Sequence, residues 1–149
     1  MKYIKLYEKF ENWKTLSDEA YSNVQDLHEM GVVSDQELRE LQRLGQIEQR
    51  IIHYTGVGNL NLNNCTLLKS LPNGLKVGGH LILNGCTGLE SLPDDLEVKG
   101  YLNLSGCIRL ESLPAGLKVG RDLYLYGCTS LAELPQDQKN LKIGGQIYI

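Results

Sequence analysis

The stretch LILNGCTGLESLPDDLEVKGY, residues 81–101, runs without a gap into LNLSGCIRLESLPAGLKVGRD, residues 102–122. Leucine, cysteine, Leu-Pro and valine keep fixed offsets while the letters between them change. The same line stands before them as LNLNNCTLLKSLPNGLKVGGH (60–80) and after them as LYLYGCTSLAELPQDQKNLKIGGQ (123–146). Cys65, Cys86, Cys107 and Cys128 are 21 residues apart, and so are Pro72, Pro93, Pro114 and Pro135. A period of this length marks stacked coils, because a coil this short cannot bury its own apolar edge and must lie on the next one. The last copy carries three extra residues between Pro135 and Ile143.

Within a coil, Leu75, Val77, Gly79, Leu81 and Leu83 alternate with Lys76, Gly78, His80 and Ile82. This period of two predicts a strand with one buried face. The following copy repeats it with Leu96, Val98, Gly100, Leu102 and Leu104, whereas Arg121 replaces the expected glycine in the third, which predicts a bend there. Cys86, Leu89 and Leu92 then turn the chain with apolar groups inward, and Pro93 blocks helix continuation and fixes an extended return.

The string L-x-L-x-x-C-x-x-L-x-x-L-P resembles a leucine-rich repeat, in the variant with cysteine where many members have asparagine. It also resembles the short "LP" repeats of bacterial secreted effectors that end in a separate ubiquitin-ligase domain. The resemblance covers about residues 52–149 and implies a right-handed α/β solenoid with one parallel sheet of about five strands. LKVGG adds a step ahead of Leu81, which suits a squarer β-solenoid as well as a curved horseshoe. The catalytic cysteine domain of those effectors has no counterpart in the sequence, so no enzyme activity is carried over.

Residues 1–51 lack the repeat and are expected to form an N-terminal helical cap, with the solenoid occupying 52–149 and copies beginning near 60, 81, 102 and 123. Ser17 can cap a helix carrying Ala20, Val24 and Leu27, with Gly31 placed to stop it. Ser34 and Glu37 form a capping box for a second helix, Val33 and Leu38 a hydrophobic staple, and Leu38, Leu41, Leu44 and Ile47 its buried stripe. Ile4, Leu6, Tyr7, Phe10 and Trp13 in the opening segment are read as cap packing. Leu6-Tyr7-Glu8 also resembles the cleavage signals of tailed-phage capsid proteins, which makes a virion or assembly component one reading of the chain.

The chain of 149 residues has net charge -3 and dispersed lysines and arginines, which gives no nucleic-acid footprint. No apolar run resembles a signal peptide or a membrane span, so a cytoplasmic location, in a bacterium or a phage-infected host, is expected. Cysteines in one straight row cannot wrap a metal tetrahedrally, and in a reducing compartment they are expected as buried thiols without disulfides. Neither metal nor cofactor is expected. His28, His53 and His80 lack a recurring acid or nucleophile partner, and Asp94-Asp95 matches turn positions in the other copies, so no catalytic residue is assigned. Gly56-Val57-Gly58 lacks the Lys-Ser/Thr of a phosphate loop, and the sequons at Asn64 and Asn103 are formal matches only.

The outward residues beside each Leu-x-Leu are free of packing duty and differ between copies. They read Asn59, Asn61, Asn63; His80, Ile82, Asn84; Tyr101, Asn103, Ser105; Asp122, Tyr124, Tyr126; Gln146, Tyr148. In a leucine-rich repeat this is the concave face. The resemblance therefore assigns partner binding to His80, Ile82, Tyr101, Asn103, Asp122, Tyr124, Tyr126 and Tyr148. Tyrosine offers large contact area and a hydroxyl at little rotamer cost. The expected function is a non-enzymatic protein-interaction module, with carbohydrate binding as a further reading because tyrosines and amides also suit sugars. The apolar last strand, IGGQIYI, suggests homodimerisation through that edge.

Overall fold

Three tight turns decide the path of the coils that begin at Leu81 and Leu102. In the coil that begins at Leu81, the Cys86 N–H donates to the Leu83 carbonyl (3.1 Å), the Leu89 N–H to Cys86 (3.0 Å) and the Leu96 N–H to Pro93 (3.2 Å). The first turn forces one residue into the left-handed region. Gly85, Gly106 and Gly127 take it with φ of 72°, 76° and 70°, and Asn64 fills the same place in the first coil at 55°. Glycine adopts this φ without a Cβ clash, and asparagine is among the side chains that tolerate it best.

The structure is a computed structural model that describes residues 28–29, 31, 34–131 and 141–149. The chain divides into two compact units, Met1–Gln42 and Arg43–Ile149. Helix α1 (Asp35–Ile52) begins in the first and ends in the second. The segment Ile4 to Trp13 with Leu6-Tyr7-Glu8, the helix expected after Ser17 apart from His28 and Glu29, Val33, and Pro135 with the insertion lie outside the described residues.

In the first unit, His28 and Glu29 are helical, and Gly31 ends that turn with φ 69° and an N–H bond to the His28 carbonyl (2.9 Å), as its position predicts. The capping box also forms. The Ser34 N–H donates to Glu37 Oε2 at 2.6 Å, and the Glu37 N–H to Ser34 Oγ at 3.4 Å. His28 Nε2 lies 2.6 Å from Asp35 Oδ1, in the first turn of α1, where a carboxylate also favours the helix dipole. Ser34→Ala is expected to cost about 1 kcal/mol, measured by urea unfolding, since it orphans a first-turn N–H. An unchanged midpoint would deny the box any energetic role.

The second unit is a parallel β-solenoid. Strands β1 (Leu60–Asn61), β3 (Leu81–Ile82), β5 (Leu102–Asn103), β7 (Leu123–Tyr124) and β9 (Ile147–Tyr148) form one five-stranded sheet. Strands β2 (Lys76–Val77), β4 (Glu97–Val98), β6 (Lys118–Val119) and β8 (Lys142–Ile143) form a second, four-stranded one. Leu60, Leu81, Leu102, Leu123 and Ile147 are paired in register, as the repeat predicts. The single sheet that the resemblance implies is corrected to two. Each coil bends at residues 78–79, 99–100, 120–121 or 144–145, so the corner belongs to every coil and is no consequence of Arg121. Leu75, Val77, Leu81 and Leu83 stay inward across the corner, and their period of two therefore passes straight through it.

The core is a stack of near-identical layers. Leu81, Leu83, Cys86, Leu89, Leu92, Leu96 and Val98 are buried, and Leu102, Leu104, Cys107, Leu110, Leu113, Leu117 and Val119 repeat the layer. Each fully buried leucine is worth about 1.5–3 kcal/mol by area removed from water. No polar or charged side chain is buried among the described residues. The thiols satisfy this condition by bonding inward. Cys86, Cys107 and Cys128 Sγ donate to the Leu62, Leu83 and Leu104 carbonyls of the preceding coil at 3.1, 3.3 and 3.1 Å. Cysteine here is a small apolar filler with one weak donor, which tethers each coil to its neighbour.

Leu44 and Ile47 of α1 are buried, as their spacing predicts. The sequence did not announce the part played by two arginines: Arg43 Nη2 donates to the Asn63 carbonyl (3.0 Å) and Arg50 Nη1 to that of Asn61 (3.3 Å). These carbonyls sit on or beside the edge strand β1, which presents unmatched acceptors unless something covers them. At the corner, Tyr54 Oη donates to the Gly58 carbonyl (2.6 Å) and accepts the Gly78 N–H (3.2 Å).

Candidate functional site

The residue preceding each Leu-x-Leu forms the first outward column: Asn59, His80, Tyr101, Asp122 and Gln146. Three of them do a structural job. Asn59 Oδ1 accepts the His80 N–H (2.8 Å), His80 Nδ1 accepts the Tyr101 N–H (3.0 Å), and Asp122 Oδ1 accepts the Gln146 N–H (2.9 Å). The bond to Tyr101 makes Nδ1 the unprotonated nitrogen of His80. Tyr101 carries no comparable acceptor, and there the ladder skips a rung.

The same ladder decides a column of glycines at the corner. A Cβ on Gly79 would meet Asn59 Oδ1, one on Gly100 would meet His80 Nδ1, and one on Gly145 would meet Asp122 Oδ1. In each case the acceptor of one coil, together with backbone of that coil at 2.6–3.0 Å, occupies the space that a side chain of the next coil would need. The fourth member of the column is Arg121, and the coil beneath it presents Tyr101. Acceptor and glycine thus occur together, and the one coil lacking the acceptor is the one that tolerates a side chain.

The second outward column pairs Asn61, Ile82, Asn103, Tyr124 and Tyr148 in register. Asn103 Oδ1 accepts the Ser105 N–H two residues on (3.0 Å), as Asn61 Oδ1 does for Asn63 (3.1 Å), so these amides brace their own turns. Tyr124 and Tyr148 stack with centroids 4.9 Å apart and planes 6° from parallel. His80 stacks on Tyr101 at 3.9 Å and 16°, and Tyr101 meets Tyr124 edge-on at 5.8 Å. Tyr126, from the third column, leans on Tyr124 (6.5 Å) and Tyr148 (6.3 Å) and is 50% exposed. Tyr148 Oη donates to Gln146 Oε1 at 3.0 Å.

All eight residues assigned from the sequence therefore lie on one outward surface, and five of them join in a chain of ring contacts. His80, Asn103 and Asp122 also carry backbone bonds, which alternation alone did not reveal. The phenol of Tyr124 is pushed above its ordinary value, first by loss of solvent among these rings, then by the Asp122 carboxylate, then by the phenols of Tyr148, Tyr101 and Tyr126.

Elsewhere, His53 Nδ1 lies 2.8 Å from the Gln49 carbonyl at the end of α1, a capping arrangement. Among the described residues β9 is the outermost strand of its sheet, and Ile149 is 78% exposed. No helix among them is long and apolar enough to cross a membrane, and no group of three or more His, Cys, Asp or Glu could hold a metal ion. No family model matches the chain, no curated protein is significantly similar to it, and no solved structure matches it.

Proposed function

We propose that the solenoid is a leucine-rich-repeat-type, non-enzymatic module that binds a protein partner on its tyrosine face. The observation carrying this reading is the contact chain His80–Tyr101–Tyr124–Tyr148–Tyr126 on the outward side of the five-stranded sheet. Nothing in the core requires these rings, since the layers beneath them are complete with leucine, cysteine and valine. Tyr124 and Tyr148 stand on paired parallel strands and every ring touches a neighbouring ring, so a docking partner orders few rotamers. Tyrosines fixed in this way have the character of binding hot spots.

The test is a peptide display library panned on the whole chain, followed by affinity measurement of the selected peptides on Tyr126→Ala. Half-exposed Tyr126 supports little of the fold, so its unfolding midpoint should move by less than about 0.5 kcal/mol. Affinity should fall roughly thirtyfold, the size of a hot-spot loss. Peptides that bind Tyr126→Ala as tightly as the original would remove the tyrosine face from the mechanism. Binding of glycans in place of peptides would replace the protein-partner reading with the carbohydrate one.

A further inference from the structure

The outward columns beside the five-stranded sheet are nearly free of charge. The guanidinium groups of Arg43 and Arg50 are engaged with the Asn63 and Asn61 carbonyls at the first coil. Asp122 is the one carboxylate in the outward columns, two residues before Tyr124 on the same face. Among the described residues no lysine or arginine reaches it within ion-pair distance. Its Oδ1 is fixed by the Gln146 N–H, which orients the carboxylate and leaves Oδ2 without a protein donor among the described residues. Oδ2 is therefore open to an outside donor, and a cation placed there would give the carboxylate a charged partner.

We propose that Asp122 and the neighbouring stack of Tyr124 on Tyr148 form a receptor for an arginine side chain of the protein partner. This rests on the reading of the tyrosine face as a protein-binding surface. Tyrosine faces carry the negative lobe of the ring quadrupole, so cations are drawn to them. A guanidinium is flat and weakly hydrated, and it can lie on a ring while its edge donates to a carboxylate oxygen. An ammonium has the charge without the plane. The raised phenol of Tyr124, caused in part by Asp122, is in keeping with a negative field over this patch.

Asp122→Asn isolates the charge, since Asn59 already fills the same ladder position with an amide oxygen accepting the next coil's N–H. The experiment pans one random-peptide display library in parallel against the whole chain, Asp122→Asn and Tyr126→Ala, with unfolding midpoints measured for all three. The expected result is enrichment of arginine in the pool selected by the original chain and its loss with Asp122→Asn. The most enriched peptide, resynthesised with lysine for arginine, should bind about tenfold more weakly, and Asp122→Asn should cost a similar factor. A pool that depends on Tyr126, shows no arginine enrichment and binds Asp122→Asn equally well would overturn the arginine receptor and leave the tyrosine face standing. Absence of any pool that depends on Tyr126 would overturn both.

Discussion

Gly100→Ala is expected to destabilise the solenoid by about 3 kcal/mol, the combined size of overpacking a tight site and losing a half-buried hydrogen bond. The added methyl would land on His80 Nδ1 and lie 2.6 Å from the Gly79 carbonyl oxygen. The imidazole must then swing away, which abandons the Tyr101 N–H and breaks the stack on the Tyr101 ring. If the clash with the imidazole is the larger part, His80→Ala should absorb it. The double variant is then less destabilised than the sum of the single ones by about 1–2 kcal/mol, with the remainder reporting the Gly79 carbonyl. The reverse experiment uses the coil that lacks the acceptor. Tyr101→Asn should be harmful beneath Arg121 and should be partly rescued by Arg121→Gly. Denaturant unfolding of each set decides the matter. Additivity within about 0.3–0.5 kcal/mol in both cycles would mean that acceptor and glycine are independent and that their co-occurrence is accidental.

This coupling also marks the boundary of what the sequence discloses. The register of Leu60, Leu81, Leu102 and Leu123 follows from the period alone, because coils of equal length can bury their leucines only by aligning them. The capping box at Ser34 and Glu37 and the stop at Gly31 are local, so residue type and spacing suffice. The gathering of Tyr101, Tyr124, Tyr126 and Tyr148 follows once the register is known. The corner after Val77 was hidden because the inward alternation continues through it, and period two reports which side a residue faces without reporting whether the strand turns. The ladder roles of His80 and Asp122 were hidden for a different reason. Their partners are backbone groups one coil away, and a backbone N–H leaves no letter in the sequence. A trace was present all the same. The pairs Asn59 with Gly79, His80 with Gly100 and Asp122 with Gly145, set against Tyr101 with Arg121, distinguish one kind of coil from the other. Arg43 and Arg50 are seven residues apart, two turns along one face of α1, but nothing in that spacing names a carbonyl as their target.

Raising the pH should weaken the solenoid through its thiol row. Cys86 is pushed up from 9.0 to about 11, first by burial, and Cys107 to about 12, by burial and then by the neighbouring thiols of Cys86 and Cys128. In the folded chain each is a donor to a carbonyl, Cys86 to Leu62 and Cys107 to Leu83, and ionisation would set a thiolate against that oxygen. A group whose value is raised on folding contributes its full stability below the unfolded value and loses it as pH climbs through the folded one. The window therefore opens near pH 9 and extends to about 11 for Cys86 and about 12 for Cys107. Within it the unfolded state has released protons that the folded state still holds, and each thiol steepens the decline by at most about 1.4 kcal/mol per pH unit. Urea unfolding in reducing buffer from pH 7 to 10.5 should give a flat profile below pH 9 and a fall above it. Cys86→Ala/Cys107→Ala should start lower at pH 7, by about 1–2 kcal/mol for each lost side chain, and then fall less steeply. Tyrosines and lysines titrate in the same range, but they are common to both proteins, so the difference between the two curves belongs to the thiols. Two parallel profiles above pH 9 would show that the thiols ionise as readily inside the coil as outside, and would remove burial between the leucine layers as a control on their ionisation.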